Sequence, residues 1–413
     1  MTGGSALGGV DLSGVRPVAS VASVASATED AEVVARVAWS ALAEPGDSGA
    51  GALVAALGAA RALELVYAEA SGRGGAVVRA CVGAVAPDEL LGLQATVDAG
   101  LLRWGPRLDR TDVARAVERA EAVGATLLVP GDPDWPERTA DLGDHAPLVL
   151  WCRGRATPVF ERPTLAVVGA RANTLAGAEA AAEITSSAAD DGCAVVSGGA
   201  YGIDAVAHRV AIAAGAPTVA VLAGGIDQLY PVGHVELLRN VSRQGMLLAE
   251  SPPGTRPTRW RFLARNRMIA AMSDAVVVVE AAARSGALNT ANHAAQLGRP
   301  VFAVPGAFSS PASVGCHRLV ADRRAELAVE PSDPARAALG FHDGTDSQEP
   351  VPLRSSVEDP DVVRVLDALG RRPIGDLEAA RRSGLSVAGA ADALALAELQ
   401  GLVRRQRDGW TVA

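Results

Sequence analysis

The chain of 413 residues contains no lysine, so all 38 of its basic side chains are arginine. A Walker P-loop, which needs a lysine, is thereby excluded. Any phosphate contact must use the planar, permanently charged guanidinium fork. Aromatic residues are scarce at 3%, so a core has to be assembled from Ala, Val and Leu, within an apolar share of 49%. The four cysteines, Cys81, Cys152, Cys193 and Cys316, show no CxxC or zinc spacing. That excludes a disulfide framework and fits a reducing, cytoplasmic compartment. The six histidines form no HxxxH or HExxH, so no metal and no cofactor are expected. No apolar run reaches the roughly 18 residues of a membrane span. The stretch 18–27 lacks a basic flank and a strong apolar block, which reads as an unstructured tail rather than a signal peptide. A net charge of −9 argues against a chain coated in positive charge, yet leaves a local basic groove open.

What is present divides the chain. Residues 1–30, rich in Gly, Ser, Ala and Val, read as a disordered tail. Residues 31–105 read as a small helical domain with helices at 32–43, 51–67 and 87–100, separated by Gly, Pro and Asp breaks. A helix at 112–123 and a strand at 125–129 precede a turn-dense connector at 130–136. From residue 164, apolar β-branched runs recur at 164–169, 193–197, 218–223, 246–250, 275–280 and 300–305, with Ala-rich helical stretches between several of them. Such runs, apolar on both faces, predict an α/β fold with a doubly wound parallel sheet, covered on both sides. Ligands on such sheets sit at the carboxyl ends of the strands. This larger domain spans 106–330, with its core at 161–330. Residues 331–358 read as a linker. Residues 359–413 read as a winged helix, with helices at 361–369, 374–382 and 387–400 and a hairpin from 402–405 and 409–412.

Two of the strands end in small residues just before a helix: Val168-Gly169-Ala170-Arg171, and Ser197-Gly198-Gly199-Ala200-Tyr201-Gly202-Ile203-Asp204. Glycine permits close backbone approach, and a helix N-terminus offers free N–H groups to an anion. The glycines serve either tight turns alone or a phosphate. Two such loops in register, one tipped by Arg171, point to phosphate. Asp204 and His208 share one face of the following helix. They are expected to organise the site, Asp204 as a cap and His208 as a residue closing it, rather than to form an acid/base pair. Five arginines fall within 256–267, including Arg259, Arg261, Arg265 and Arg267, interleaved with Trp260 and Phe262 and followed by no acid until after Ser273. Arginine pairs with phosphate, and exposed aromatics stack on unpaired bases. Alternatively the two aromatics are core, Phe262 more readily than Trp260. After the fifth run, Glu280 is the one candidate buried carboxylate, and Ser285, Gly286 and Thr290 open another helix.

Taken together, these strings resemble the DprA (Smf) family of bacterial DNA-processing proteins. The matches are Val-Val-Gly-Ala-Arg (167–171), Val-Ser-Gly-Gly-Ala-Tyr-Gly-Ile-Asp-Ala (196–205) with His208, Gly-Gly-Ile-Asp-Gln-Leu-Tyr-Pro (224–231) and Glu-Ser-Pro-Pro-Gly (250–254). They continue with Phe-Leu-Ala-Arg-Asn-Arg (262–267), Val-Val-Glu-Ala (278–281), Ser-Gly-Ala-Leu-Asn-Thr-Ala (285–291) and Val-Pro-Gly (304–306). The resemblance implies an extended Rossmann-like core between an N-terminal SAM/HhH-like helical domain and a C-terminal winged helix. It implies sequence-independent binding of single-stranded DNA, dimerisation through the core, and loading of the RecA recombinase in natural transformation, without catalysis. Arg171, the loop 197–199 and the triplet Arg265, Asn266 and Arg267 fall where the family builds its DNA pocket. The chain departs from the family pattern at Ala170, Gly199, Val232 and His317. Two other readings remain: a nucleotide-binding or phosphoribohydrolase-like enzyme on the same fold, and a protein-interaction module with a degenerate pocket. The winged helix could take duplex DNA or a protein partner.

Overall fold

A computed structural model describes residues 27–82, 87–109, 111–154, 159–341, 360–370, 373–399, 402–406 and 409–412. These form two compact units, one within 1–342 and one within 343–413. In the first unit nine strands make one sheet: β1 (Thr126–Leu128), β2 (Leu150–Gly154), β3 (Thr164–Val168), β4 (Ala194–Ser197), β5 (Thr218–Leu222), β6 (Met246–Ala249), β7 (Ala275–Val278), β8 (Val301–Ala303) and β9 (Glu326–Leu327). They lie in the order β1-β2-β6-β5-β4-β3-β7-β8-β9. Every pair from β6 to β9 is parallel. The pairs β1–β2 and β2–β6 are antiparallel. The expected runs are β3 to β8, and 125–129 contains β1. The sequence reading missed β2 and β9. Leu-Trp-Cys-Arg-Gly has no β-branched residue to mark it as a strand, and β9 is two exposed residues.

The sheet winds in both directions from β3, which pairs with β4 on one side and β7 on the other. Alternation along β3 supplies both faces. Leu165 and Val167 join a cluster with Ala181 and Ile184 of α7 (Leu175–Asp190), Ala207 and Ala211 of α8 (Ile203–Ala213), and residues of α13 (Asp333–Ala338). Ala166 and Val168 pack with Met268 and Ile269 of α10 (Arg259–Ala271) and Ala287 and Ala291 of α11 (Ala287–Gln296). Between these helices in the chain run α9 (Val235–Gln244) and α12 (Val314–Ala321). Helix α13 corrects the linker expected at 331–358. Its Ala335, Ala337 and Ala338 are buried on the sheet, because its small side chains let the helix lie close. Residues 342–358 of that stretch, and 1–26 of the expected tail, lie outside the described residues.

The N-terminal helices are α1 (Ala27–Leu42), α2 (Ser48–Leu57), α3 (Ala59–Ala70), α4 (Ala76–Cys81), α5 (Pro87–Leu108) and α6 (Val113–Ala122). The single helix expected at 51–67 is broken at Gly58, where φ is +78° and the axis turns through 116°. A positive φ cannot continue a right-handed helix. Glu32 then caps α3 by accepting from the N–H groups of Ala59 (2.8 Å) and Ala60 (3.1 Å). The boundary expected at 105/106 falls inside α5. Trp104 of that helix meets Trp39 edge-on at 5.2 Å, in a cluster that also contains Leu222 of β5 and Leu247 of β6. The N-terminal helices therefore share their core with the end of the sheet. Among the described residues, no single helix is long and apolar enough to cross a membrane.

The second unit consists of α14 (Pro360–Ala368), α15 (Asp376–Ser383), α16 (Val387–Leu399) and an antiparallel hairpin of β10 (Val403–Gln406) and β11 (Gly409–Val412). Trp410 anchors it. Its indole donates to Asp376 (2.6 Å), Arg405 lies over its ring, and its backbone bridges to Ile374.

Candidate nucleic-acid interface

Where the sheet reverses its winding, the carboxyl ends of β3, β4 and β7 open into a cavity of about 250 Å3. This is the place a doubly wound sheet offers to a ligand. Eight of the residues singled out from the sequence line it: Gly169, Arg171, Asp204, Arg265, Asn266, Ser285, Gly286 and Thr290. Phe262, Leu263 and Ile269 of α10 line it too, with Val168, Ala200 and Ala287.

Arg171 is exposed, and its guanidinium lies 4.8 Å from the centroid of Phe262. Among the described residues it has no hydrogen bond or ion pair. Phe262 is half-buried, with Tyr230 against it at 5.7 Å. It is thus neither pure core nor a free stacking surface, but a platform for two arginines, since Arg265 also lies under its ring at 5.9 Å. Trp260, by contrast, is 60% exposed.

Arg265 is buried and donates to the carbonyls of Gly198 (2.7 Å) and Val221. Burial lowers its pKa to about 10, with Arg171 adding repulsion and Asp204 opposing, so it stays cationic at neutral pH. Asp204 accepts from the N–H groups of Gly198 (3.1 Å) and Ala200 (3.3 Å). Burial holds its carboxyl above the usual range, against the pull of Arg265, those two N–H groups and Arg171. The cavity therefore carries two guanidinium groups against one carboxylate whose acceptors are partly occupied. Asn266 ties α10 to the far wall by donating to the carbonyl of Gly286 (3.1 Å).

The glycines separate into two kinds. A Cβ on Gly198 would stand 2.3 Å from the Arg265 guanidinium, on Gly169 2.6 Å from Ile203, and on Gly202 2.1 Å from the Ala170 carbonyl. Gly199 has φ +67° and faces Leu238 at 2.8 Å. These four serve close packing. Gly286 has an ordinary φ of −63° and nothing within 4 Å of an added Cβ. The fold does not require glycine there.

Several expected site residues are committed elsewhere. The Ser197 hydroxyl is fully buried and donates to the Val167 carbonyl (2.7 Å). Arg261 is held by Glu44, Nε and Nη2 each donating at 3.0 Å, and Glu44 also accepts from Arg107 (2.6 Å). Arg267 is buried against Glu250 (2.6 and 2.8 Å), which also accepts from the Gly46 N–H. Arg259 is exposed but outside the cavity lining. His208 does not close the site. It is fully buried with Nδ1 2.8 Å from the Thr218 hydroxyl. That hydroxyl gives its proton to the Val195 carbonyl (3.0 Å), so Nδ1–H donates to Thr218. Burial, with repulsion from Arg265 and His234, lowers its pKa to about 3, so the ring is neutral. Glu280 accepts from the Thr174 N–H (3.0 Å) and hydroxyl, fixing the start of α7 beside the Arg171 loop. The departures from the family pattern have local roles. The Ala170 carbonyl accepts from the Ile203 N–H (3.1 Å), Val232 is exposed, and Nε2 of His317 lies 3.0 Å from the Gly306 carbonyl. The sequence reading gave no site role to Glu44 and Thr174, whose partners Arg261 and Glu280 lie 217 and 106 residues away, and it quoted Glu250 without pairing it to Arg267, 17 residues on.

The profile of a family described as DNA recombination-mediator protein A matches residues 126–338. A Mycobacterium tuberculosis protein described as a DNA processing protein DprA is 41% identical over 322 residues, covering 73% of this chain and 82% of its own. The DNA processing protein DprA of Bacillus subtilis is 37% identical over 174 residues, 42% of this chain and 59% of its own. Among solved structures, the X-ray structure of DNA processing protein A from Streptococcus pneumoniae aligns with a TM-score of 0.55 at 25% identity, over 76% of this chain and 98% of that one.

Proposed function

Because the chain belongs to the DNA recombination-mediator protein A family, we propose that it binds single-stranded DNA without sequence preference, through the cavity at the ends of β3, β4 and β7. The observation that carries the reading is Arg171, an exposed, unpaired guanidinium laid on Phe262 above a second, buried arginine. Phosphate suits that pair, because a guanidinium fork grips its oxygens bidentately. Gly286 and the hydroxyls of Ser285 and Thr290 supply further polar groups on the opposite wall. Exposed Trp260 and Tyr230 offer faces on which bases can stack, at roughly 1–3 kcal/mol per base. Only unpaired bases can do so, which favours the single strand over the duplex. Glu280 is occupied by Thr174, which speaks against its use as a base in a hydrolytic reading.

On the ground of the family, the wider role is protection of incoming single strands and loading of RecA in transformation and recombination in the cytoplasm. A homodimer through the extended Rossmann-like core belongs to the same reading. In it the N-terminal helices are a SAM/HhH-like domain and the second unit a winged helix, with duplex DNA or a protein as its ligand. The test is an anisotropy titration of the full chain against labelled oligo-dT and a matched duplex over a salt series. The expected result is preference for the single strand, with log K falling by about 0.7 per log salt for each phosphate contacted. Equal affinity for both nucleic acids, or affinity independent of salt, would overturn it.

A further inference from the structure

At the other end of β3 a second cavity, of about 240 Å3, has the opposite character. Its walls include Asp134, Trp135, Glu137, Phe160, Glu161 and Met272, with Thr164, the first residue of β3, at its edge. Asp134, Glu137 and Glu161 have no hydrogen bond or ion pair among the described residues. Arg138 lies on the same wall but is taken by Asp274, which also accepts from the Thr164 N–H and hydroxyl. The cavity therefore presents carboxylates without counter-ions beside two aromatic rings.

A further observation concerns Trp135, which is only 5% exposed. The buried indoles of Trp39, Trp104 and Trp410 donate to the Ala59 carbonyl, Asp47 and Asp376. The Trp135 indole N–H donates to nothing among the described residues, and neither does that of fully buried Trp151; unlike the Trp151 nitrogen, that of Trp135 is not closed off from its surroundings. On the cavity lining it is a free donor, open to an acceptor on a ligand.

We propose that this cavity binds a guanidinium group, carried by an arginine residue of a partner protein or by a free small molecule. A guanidinium pairs with carboxylates through its planar fork and stacks on aromatic faces. A hard metal ion would instead need about six or more oxygen ligands, and no metal-binding group of side chains is found among the described residues. The volume suits a single side chain, since pockets for drug-sized ligands run to about 300–1,000 Å3. Asp134 supports the assignment: burial, Asp132 and Glu161 together push its carboxyl up, a strain that a bound cation relieves. The amide carbonyl of an arginine residue can also accept from the Trp135 N–H on the cavity wall.

The test follows the tryptophan indole N–H resonances of the full chain by NMR, with Trp135→Phe assigning the signal. The probes are N-acetyl-L-arginine methylamide, agmatine, and the citrulline analogue of the first, which is uncharged. Saturable shifts of the Trp135 signal with the arginine amide, absent with citrulline, are expected. Comparable binding of agmatine would keep the guanidinium assignment and identify the source as a free small molecule. Affinity is expected to fall about tenfold in Asp134→Asn/Glu161→Gln, one decade being about 1.4 kcal/mol, and to fall also in Phe160→Leu. Thermal midpoint and oligo-dT affinity should stay as in the parent chain, which separates this site from the DNA cavity. No saturable shift with either guanidinium probe, or citrulline binding as well as arginine, would overturn the proposal.

Discussion

Replacing Arg171 with alanine separates binding from folding more cleanly than any other change at the cavity proposed to take DNA. The side chain is exposed and its one described contact is the Phe262 ring at 4.8 Å. An exposed cation–π contact is worth about 0.5–1 kcal/mol, so stability should hardly change. A charge-assisted hydrogen bond to phosphate is worth about 1.5–3 kcal/mol. At 1.4 kcal/mol per decade that is a loss of roughly tenfold to 150-fold in affinity. Losing one phosphate contact should also flatten the salt dependence by about 0.7 in slope. Anisotropy with labelled oligo-dT at several salt concentrations reads both quantities, and circular dichroism on heating reads the fold. Arg171→Lys keeps the charge but loses the fork. It should retain the parent slope with intermediate affinity. A folded Arg171→Ala protein with the parent affinity and slope would refute the assignment of this guanidinium to phosphate.

Further outcomes follow from the same contacts. Gly198→Ala would place a Cβ 2.3 Å from the Arg265 guanidinium, so it should displace that arginine and lower both thermal midpoint and oligo-dT affinity. Gly286→Ala meets open space and should leave the midpoint unchanged while weakening oligo-dT binding if DNA approaches that backbone; unchanged binding would remove Gly286 from the interface. Glu250→Gln leaves Arg267 buried without its counter-charge, which should cost about 3–5 kcal/mol in urea denaturation. His208 has a folded pKa of about 3 against an ordinary 6.5, so its contribution is fully present above pH 6.5 and is lost as pH falls towards 3. Linkage puts the loss at about 2 kcal/mol between pH 7 and pH 5. His208→Gln should remove that part of the pH dependence of unfolding, and an unaltered dependence would contradict a neutral buried ring.

The parallel core was legible because each of its strands is an apolar run and the sequence needed only local pattern to reveal it. Thr-Leu-Ala-Val-Val and Ala-Val-Val-Val are buried at every position, as β3 and β7. The break at Gly58 and the strand β2 were not legible, because one depends on a backbone angle and the other on an antiparallel partner about 95 residues away. The arginine-rich segment shows the limit most clearly. As a string, its arginines are equivalent. On helix α10 they are not: Arg261 meets Glu44, 217 residues distant, and Arg267 meets Glu250, while Arg265 turns under Phe262 into the cavity. Charge density thus located a helix that lines the cavity, whereas tertiary contacts decided which charges it could spare. The glycines divide by the same logic. Gly198 and Gly202 are explained by atoms that would collide with a side chain, and no ligand need be invoked for them. Gly286 lines the cavity with neither a positive φ nor a neighbour to exclude a side chain, so the fold does not require glycine there, and only the binding measurement on Gly286→Ala decides whether a ligand does.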